Sequence, residues 1–284
     1  MARRYDTVSF LSDYGLVDEF VGVIHSVVVD LAPHVRIIDL THGISVHDVR
    51  AGSLALARCI QYSPTGVVLA VVDPGVGTSR RAVAIEVAGG EGVLVGPDNG
   101  LLAPAVAMAG GAGRAVCLTN TAFQLAAPGA TFAGRDVFAP AAAHLCNGVD
   151  LFELGEEVDA GSLLPGVVPL SREEDGELHG EIMWVDHFGN AQLNIGPDEI
   201  EGWGDTIGLR WEEHVRSATR ADTFGRIGGG IGLVTDSYGV LAICLDRRSA
   251  ADELGLGPGD AVRLVRLGDE PVGASTPVQL SPRR

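Results

Sequence analysis

Residues 5–40 read YDTVSFLSDYGLVDEFVGVIHSVVVDLAPHVRIIDL, and this stretch decides the fold. Two short runs rich in β-branched residues, 5–11 and 35–40, flank an amphipathic segment at 20–31. This alternation predicts a βαβ unit and hence a parallel sheet. Because the runs are rich in Val and Ile without polar alternation, we expect a sheet that is covered on both faces.

The pattern continues with a predicted helix at 49–61 and then three further strands at 67–72, 82–87 and 93–95. The second half differs, since its strand-like segments are short and separated by Gly and Pro turns; they lie at 180–185, 206–211, 232–235, 240–245 and 261–267. We predict an α/β N-terminal domain with a largely parallel sheet (1–162), a linker (163–177) and a C-terminal antiparallel β-barrel domain (178–284).

Composition excludes several function classes. The net charge of −17 opposes binding to nucleic acid, so we expect no such partner. No apolar run reaches the roughly 20 residues of a membrane span, and the four cysteines form no C-x-x-C pair, so we expect a cytoplasmic protein with free thiols and no membrane partner. All 20 basic residues are arginine. This excludes three kinds of site that need a lysine, namely P-loop, pyridoxal phosphate and protein kinase sites.

Carboxylates follow three consecutive predicted strands, as Asp13, Asp39 and Asp73. Ligands of parallel sheets collect at the carboxyl ends of the strands, which favours a site there, although each Asp alone fits a turn or helix cap. Gly75 and Gly77 allow a tight turn that returns Arg80 to Asp73. That pairing is compatible with a structural ion pair as well as with a functional one.

Three further polar segments are ambiguous. Asp136 in TFAGRD fits a helix cap, and the turns DHFGN (186–190) and DSYG (236–239) suit either ligand contact or turn chemistry. Five histidines show no metal-ligand spacing and are interpreted as packing or surface residues: His25, His34, His144, His179 and His214. No metal dependence is indicated.

The ordered motifs resemble the S-adenosyl-L-methionine hydrolases (adenosine-forming), which are similar to the fluorinases and chlorinases. The segments that carry the resemblance are FLSDYG (10–15), DLTHGI (39–44), VVDPGVGT (71–78) with two arginines after it, GPDNGLL (96–102), TFAGRDVFAPAAAHL (131–145), VDHFGNAQLNI (185–195) and DSYGVLAI (236–243). The resemblance implies an α/β domain, a β-barrel, and a homotrimer with sites between subunits. It also implies water-driven cleavage of the substrate at the ribose 5′ carbon without a cofactor.

By resemblance, Asp13 holds the ribose hydroxyls, and aromatic and amide groups surround the adenine. Asp186 takes the methionine ammonium and Ser237 its carboxylate, with Tyr238 nearby. The residues implied around the adenine are Phe188, Asn190 and Phe224, and Phe132 is implied as a further substrate-binding residue.

The family hydrolases place an Asp, an Arg and a His around the attacking water. Asp73 and Arg80 match the first two, and the halogenases carry a tyrosine in place of Asp73 and lack Arg80. Ala133 stands where the hydrolases have the histidine, and a methyl group cannot move a proton. We interpret this as an active-site variant with weakened activity, engineered or diverged, the former being favoured because the surrounding pattern is intact. A halide-dependent adenosyltransferase and a non-catalytic binding protein remain the alternatives.

Overall fold

The computed structural model describes residues 4–267, which form two compact units, one ending at Val168 and one beginning at Pro169. Each unit contains its own sheet and its own hydrophobic core. The break between the units lies inside the stretch that was predicted as a linker, and residues 172–174 of that stretch form a strand of the second sheet.

The first unit is an α/β domain built on a seven-stranded sheet. Its elements are β1 (Thr7–Ser12), α1 (Phe20–Leu31), β2 (Arg36–Thr41), α2 (Val49–Ile60), β3 (Val67–Val71), β4 (Ala82–Val87), β5 (Gly92–Pro97), α3 (Ala103–Met108), β6 (Ala112–Cys117), α4 (Ala139–Cys146) and β7 (Glu156–Glu157). The strand order is β2-β1-β3-β5-β4-β6-β7. Strands β2, β1, β3 and β5 are parallel, whereas β4, β6 and β7 add antiparallel pairings.

Strand β3 shows why the sheet is covered on both faces. Val67, Leu69 and Val71 belong to the core that contains α1 and α4, whereas the alternate residues Val68 and Ala70 belong to the core that contains α2 and α3. Successive side chains of a strand point to opposite faces, so a strand between two helical layers must be apolar throughout. The predicted parallel sheet is therefore confirmed.

The second unit is a β-barrel. Its elements are β8 (Arg172–Glu174), β9 (Glu177–Val185), β10 (Ala191–Leu193), β11 (Thr206–Trp211), β12 (His214–Ala221), β13 (Ile231–Thr235), β14 (Leu241–Leu245), α5 (Ala250–Leu254) and β15 (Ala261–Arg266). Pairing of β10 with β9 closes seven strands into a ring, and β8 extends the sheet beyond β9. All pairs are antiparallel except β12 with β13, so the predicted barrel is confirmed.

The structure adds elements that the sequence pattern did not reveal. Helix α3 has six residues, β7 two and β10 three, which is too short for a periodic signal. Strand β12 has mostly exposed positions and therefore lacks a hydrophobic run. None of the helices within residues 4–267 is long and apolar enough to cross a membrane.

Candidate active site

The carboxyl ends of β1, β2 and β3 meet at one edge of the first sheet, because these three strands are parallel neighbours. The backbone N–H of Asp13 donates to the carbonyl of Val71 at 3.3 Å, which joins the end of β1 to the end of β3. The Oδ2 atom of Asp13 accepts from the backbone N–H of His47 at 2.9 Å. The expected gathering of Asp13, Asp39 and Asp73 at this edge follows from the strand order.

Asp73 and Arg80 form a two-point ion pair directly after β3. The guanidinium donates from Nε to Oδ1 at 3.0 Å and from Nη2 to Oδ2 at 2.5 Å. The loop between them turns tightly, with Gly77 at φ 76° and a Thr78 hydroxyl that donates to the Gly75 carbonyl at 2.6 Å. The pairing predicted from the sequence is confirmed, whereas the catalytic roles of both residues remain predictions.

Phe132 and Ala133 lie beside the same edge. Ala133 immediately precedes a π-helical turn at Gly134–Phe138, a local geometry that is often found at functional sites. The rings of Phe132 and Tyr14 meet edge to face at 5.7 Å between centroids. The Ala130 carbonyl lies 2.9 Å from the position that a Cβ on Gly77 would take, so the segment before Phe132 touches the loop between Asp73 and Arg80.

The surroundings of Tyr14 raise the pKa of its phenol. Burial raises its pKa well above the usual value, and the negative charges of Asp13 and Asp73 raise it further. The phenol therefore stays neutral. Asp136 does not cap the helix that follows, whose N-cap residue is Phe138, and its carboxylate is paired with Arg135 at 2.6 Å.

The second unit carries two turns of the same design, which we call the Asp-anchored turns (residues 186–190 and 236–240). Asp186 Oδ1 accepts from the backbone N–H groups of Phe188 and Asn190, each at 2.9 Å. Asp236 Oδ1 likewise accepts from the N–H groups two and four residues later, at 2.8 and 3.2 Å. Each turn has a glycine in the left-handed region at its fourth position, with φ of 82° and 81°.

These turns present the predicted ligand residues. The side chain of Gln192 donates to Asp236 and so connects the second turn to β10, which follows the first. Phe188, His187, Ser237 and Tyr238 are exposed, whereas Asn190 is buried and donates from Nδ2 to Asp186 Oδ2 at 2.8 Å. The oxygens of Asp186 thus already shape the turn, which is a structural role in addition to the predicted contact with an ammonium group.

An open pocket of about 620 Å³ lies beside the first turn. Its lining includes Phe188, Asn190 and Phe224, which the sequence analysis assigned to one planar ligand. Sequence reasoning missed the other side of this pocket, which the turn after β14 provides; its residues are Asp246, Arg247, Arg248 and Ser249. The charged sequence DRRS (246–249), which follows a predicted strand, could have indicated this side of the pocket. Among the described residues, Asp186, Ser237 and Tyr238 are not part of the lining.

The sequence analysis also missed a cluster of possible metal ligands in the first unit. His25, Asp39 and His42 each offer one ligand atom, and these atoms lie within 4.8 Å of one another. His25 comes from α1 and His42 from the loop after β2, so no short spacing joins them in sequence. The only local signal was the i, i+3 spacing of Asp39 and His42.

Comparison with known proteins identifies the family of this chain. Residues 8–155 match the SAM hydroxide adenosyltransferase N-terminal domain, and residues 180–263 match the C-terminal domain of the same family. The (R)-S-adenosyl-L-methionine hydrolase of Salinispora tropica is 46% identical over 90% of this chain and 97% of its own. The protein of the same name from Thermus thermophilus is 42% identical over 91% of this chain and 99% of its own.

The fold is also shared. The crystal structure of an uncharacterized conserved protein from Thermotoga maritima superposes with a TM-score of 0.83, at 32% identity over 91% of this chain and 100% of that one. Fluorinases match at the lower identities of 26 to 28%. With both domain models matched in order and relatives above 40% identity over nine-tenths of its length, this chain belongs to the SAM hydroxide adenosyltransferase family.

Proposed function

We propose that this protein hydrolyses S-adenosyl-L-methionine at the ribose 5′ carbon and releases adenosine and L-methionine. The observation that carries the proposal is the buried Asp73–Arg80 pair at the same sheet edge as Asp13. The names of the relatives at 42 to 46% identity support it. The substrate is a small molecule, and no cofactor enters the proposal.

The chemistry suits a site of this kind. The water oxygen bonds to C5′ while the C5′–S bond breaks, and the electron pair of that bond neutralises the sulfonium. Methionine leaves as a neutral thioether and needs no acid, so the protein must align the water and accept its proton. Asp73 is the proposed group for that proton, and Arg80 fixes its orientation through two hydrogen bonds.

The proposed substrate contacts fall into two sets. In the first unit, Asp13 takes the ribose hydroxyls and Phe132 lines the reacting end. In the second unit, the adenine lies among Phe188, Asn190 and Phe224, which the open pocket beside the first Asp-anchored turn supports. The methionine part is assigned to Asp186, Ser237 and Tyr238.

A homotrimer with each site between two subunits is part of the proposal, and it rests on the resemblance. We also propose a cytoplasmic location. All four cysteines lie in the described part of the chain and none is disulfide-bonded, which supports a reducing compartment. Light scattering during gel filtration tests the assembly, since a monomer would contradict the trimer.

We propose that Ala133 lowers the activity of the site. Its methyl group cannot transfer a proton, and a positioned acid–base group contributes about 10²- to 10⁴-fold to a rate. The experiment incubates this chain and its Ala133→His variant with S-adenosyl-L-methionine, with and without chloride. Adenosine, methionine and 5′-chloro-5′-deoxyadenosine are quantified by chromatography. Ala127→His places the same side chain at an exposed position and serves as the control.

We expect adenosine from both proteins, faster from Ala133→His and unaffected by chloride. Turnover that requires chloride would indicate the halide-dependent alternative, although a carboxylate at Asp73 repels an anion. Tight binding without product from either protein would indicate a binding protein, a reading that Ala133 itself favours. Either result would contradict the proposed hydrolysis.

A further inference from the structure

The cluster of His25, Asp39 and His42 lies at the carboxyl edge of the first sheet, and the proposed hydrolysis does not use it. His25 Nε2 lies 2.8 Å and His42 Nε2 lies 3.0 Å from the same oxygen, Asp39 Oδ1. Two imidazoles therefore point the same ring nitrogen at one carboxylate oxygen. Such convergence of nitrogen and oxygen donors is the starting geometry of a metal site.

His42 is the most buried residue of the cluster. His42 is 6% exposed, and its Nδ1 is hydrogen-bonded to Ser12 Oγ at 2.7 Å. Its Nε2 is buried and lies 3.0 Å from Asp39 Oδ1, in an orientation that is poor for a hydrogen bond. A cation between the three side chains would contact this nitrogen and the carboxylate together.

The surroundings resemble those of a supported ligand. Ser12 Oγ also accepts from the Tyr14 backbone N–H at 3.3 Å and contacts Nδ1 of His42 at 2.7 Å, so the serine fixes the orientation of the imidazole ring. Hydrogen bonding of the second ring nitrogen is the usual way in which a metal-binding histidine is oriented. The ring of Phe10 packs against His42 and His25 at 4.6 and 6.2 Å between centroids.

Access is also suitable. The His42 side chain is 3% exposed, whereas His25 and Asp39 are 34% and 42% exposed. The cluster is therefore closed on the protein side and open to water on the other, which leaves room for solvent to complete a coordination shell.

We propose that His25 Nε2, His42 Nε2 and the Asp39 carboxylate bind one divalent transition-metal ion. Two imidazoles and a carboxylate suit Zn²⁺, Co²⁺ or Ni²⁺ better than Mg²⁺ or Ca²⁺, which prefer all-oxygen shells. A tetrahedral ion about 2.1 Å from each donor separates the donors by about 3.4 Å, so only small side-chain movements are needed. The loop after β1, which carries Asp13, contacts the loop of His42, because the Gly15 N–H donates to the His42 carbonyl at 2.9 Å.

The test uses tag-free, chelator-treated protein and Zn²⁺ itself as the probe. Isothermal titration at pH 7.5 measures stoichiometry and affinity, and the visible absorption of Co²⁺ reports the coordination. The variants are His25→Gln and Asp39→Asn, both at partly exposed positions, and His214→Gln in the second unit is the matched control. Circular dichroism and melting temperature check that the variants fold.

We expect one Zn²⁺ per chain, at least tenfold weaker binding in both cluster variants, and no change in the control. Loss of an outer-shell partner already costs 10- to 100-fold in other metal sites, so loss of a ligand should cost no less. Absence of Zn²⁺ binding in the unsubstituted protein would overturn the proposal. Binding that survives both substitutions, or that the control also loses, would overturn it too, because the ion would then lie elsewhere.

Discussion

Asp73 and Arg80 hold each other through two hydrogen bonds while their side chains are 6% and 11% exposed. Removing one partner of a buried pair leaves a charge without compensation, which costs about 3–5 kcal/mol. We therefore expect Asp73→Asn and Arg80→Gln each to lower the free energy of unfolding by about that amount. The double variant should lose less than the sum, as measured by urea denaturation.

The same three variants distinguish an effect on stability from an effect on catalysis. If the pair orients the attacking water, the double variant stays inactive in the adenosine assay even though part of its stability returns. Activity that recovers together with stability would contradict the proposed role of Asp73. Simple additivity of the two stability losses would contradict the energetic coupling.

Gly134 and Tyr14 are packed so closely that a methyl group on Gly134 has no room. An added Cβ would lie 2.3 Å from Tyr14 Oη and 3.3 Å from Ile24 Cδ1. Overpacking of this kind costs about 1–3 kcal/mol, so Gly134→Ala should lower the melting temperature. Tyr14→Phe in the same chain should restore most of the loss, because it removes the nearest atom.

Gly129→Ala is the control for this pair, since nothing lies within 4 Å of its added Cβ. Thermal unfolding followed by circular dichroism provides the measurement. A Gly134→Ala variant that Tyr14→Phe fails to rescue would show that the strain arises elsewhere in the π-helical turn.

Phe188 is 76% exposed beside the open pocket, so its ring has little part in the fold. Stacking of a base on an aromatic ring contributes about 1–3 kcal/mol. We expect Phe188→Ala to weaken adenosine binding about five- to hundredfold in calorimetry with no change in melting temperature. Phe152→Ala removes an exposed ring from the first unit and should leave the affinity unchanged. Equal affinities in all three proteins would remove Phe188 from the adenine site.

The environment of Glu86 predicts how the stability of the protein depends on pH. Hydrogen bonds from Arg114 lower its pKa below the usual 4.5, burial opposes this, and the charges of Arg114 and Arg4 lower it further. A carboxyl whose pKa is lower in the folded state contributes stability above its unfolded pKa and loses it as the pH falls through the folded value. Its stabilisation is therefore complete at pH 7 and fades below about pH 4.5.

Glu86→Gln should lower the free energy of unfolding by about 1.5–3 kcal/mol at pH 7, the range for hydrogen bonds to charged groups. The difference from the unsubstituted protein should shrink in urea titrations at pH 4 and 3. Exposed Glu91→Gln is the control in the neighbouring turn. A difference that stays constant from pH 7 to pH 3 would show that the charge of Glu86 is not responsible.

Much of the fold was predictable because its strands carry strong local signals. Strand β3 is apolar on both faces, β1 is buried at five of its six positions, and α1 and α2 have helical periodicity, so their positions follow from the sequence. Closure of the barrel could not be predicted from local sequence patterns. It depends on the pairing of the three-residue strand β10 with β9, which is a long-range choice and not a local preference.

The candidate site was predictable where chemistry follows a strand end. The approach of Arg80 to Asp73 was foreseen because only six residues separate them and two of these are glycines. The cluster of His25 with Asp39 and His42 was not, because it depends on how α1 packs beside the sheet edge. The metal-ligand spacings used in sequence reading apply to ligands on one element and fail for ligands gathered from several.

The two Asp-anchored turns have a consequence for how the protein can change. In each turn an aspartate and a glycine fix the backbone, while the second and third residues are exposed. Mutations at those two positions therefore alter the outer surface of the barrel without disturbing its folding. A directed-evolution library confined to these four codons should therefore retain a high fraction of folded members.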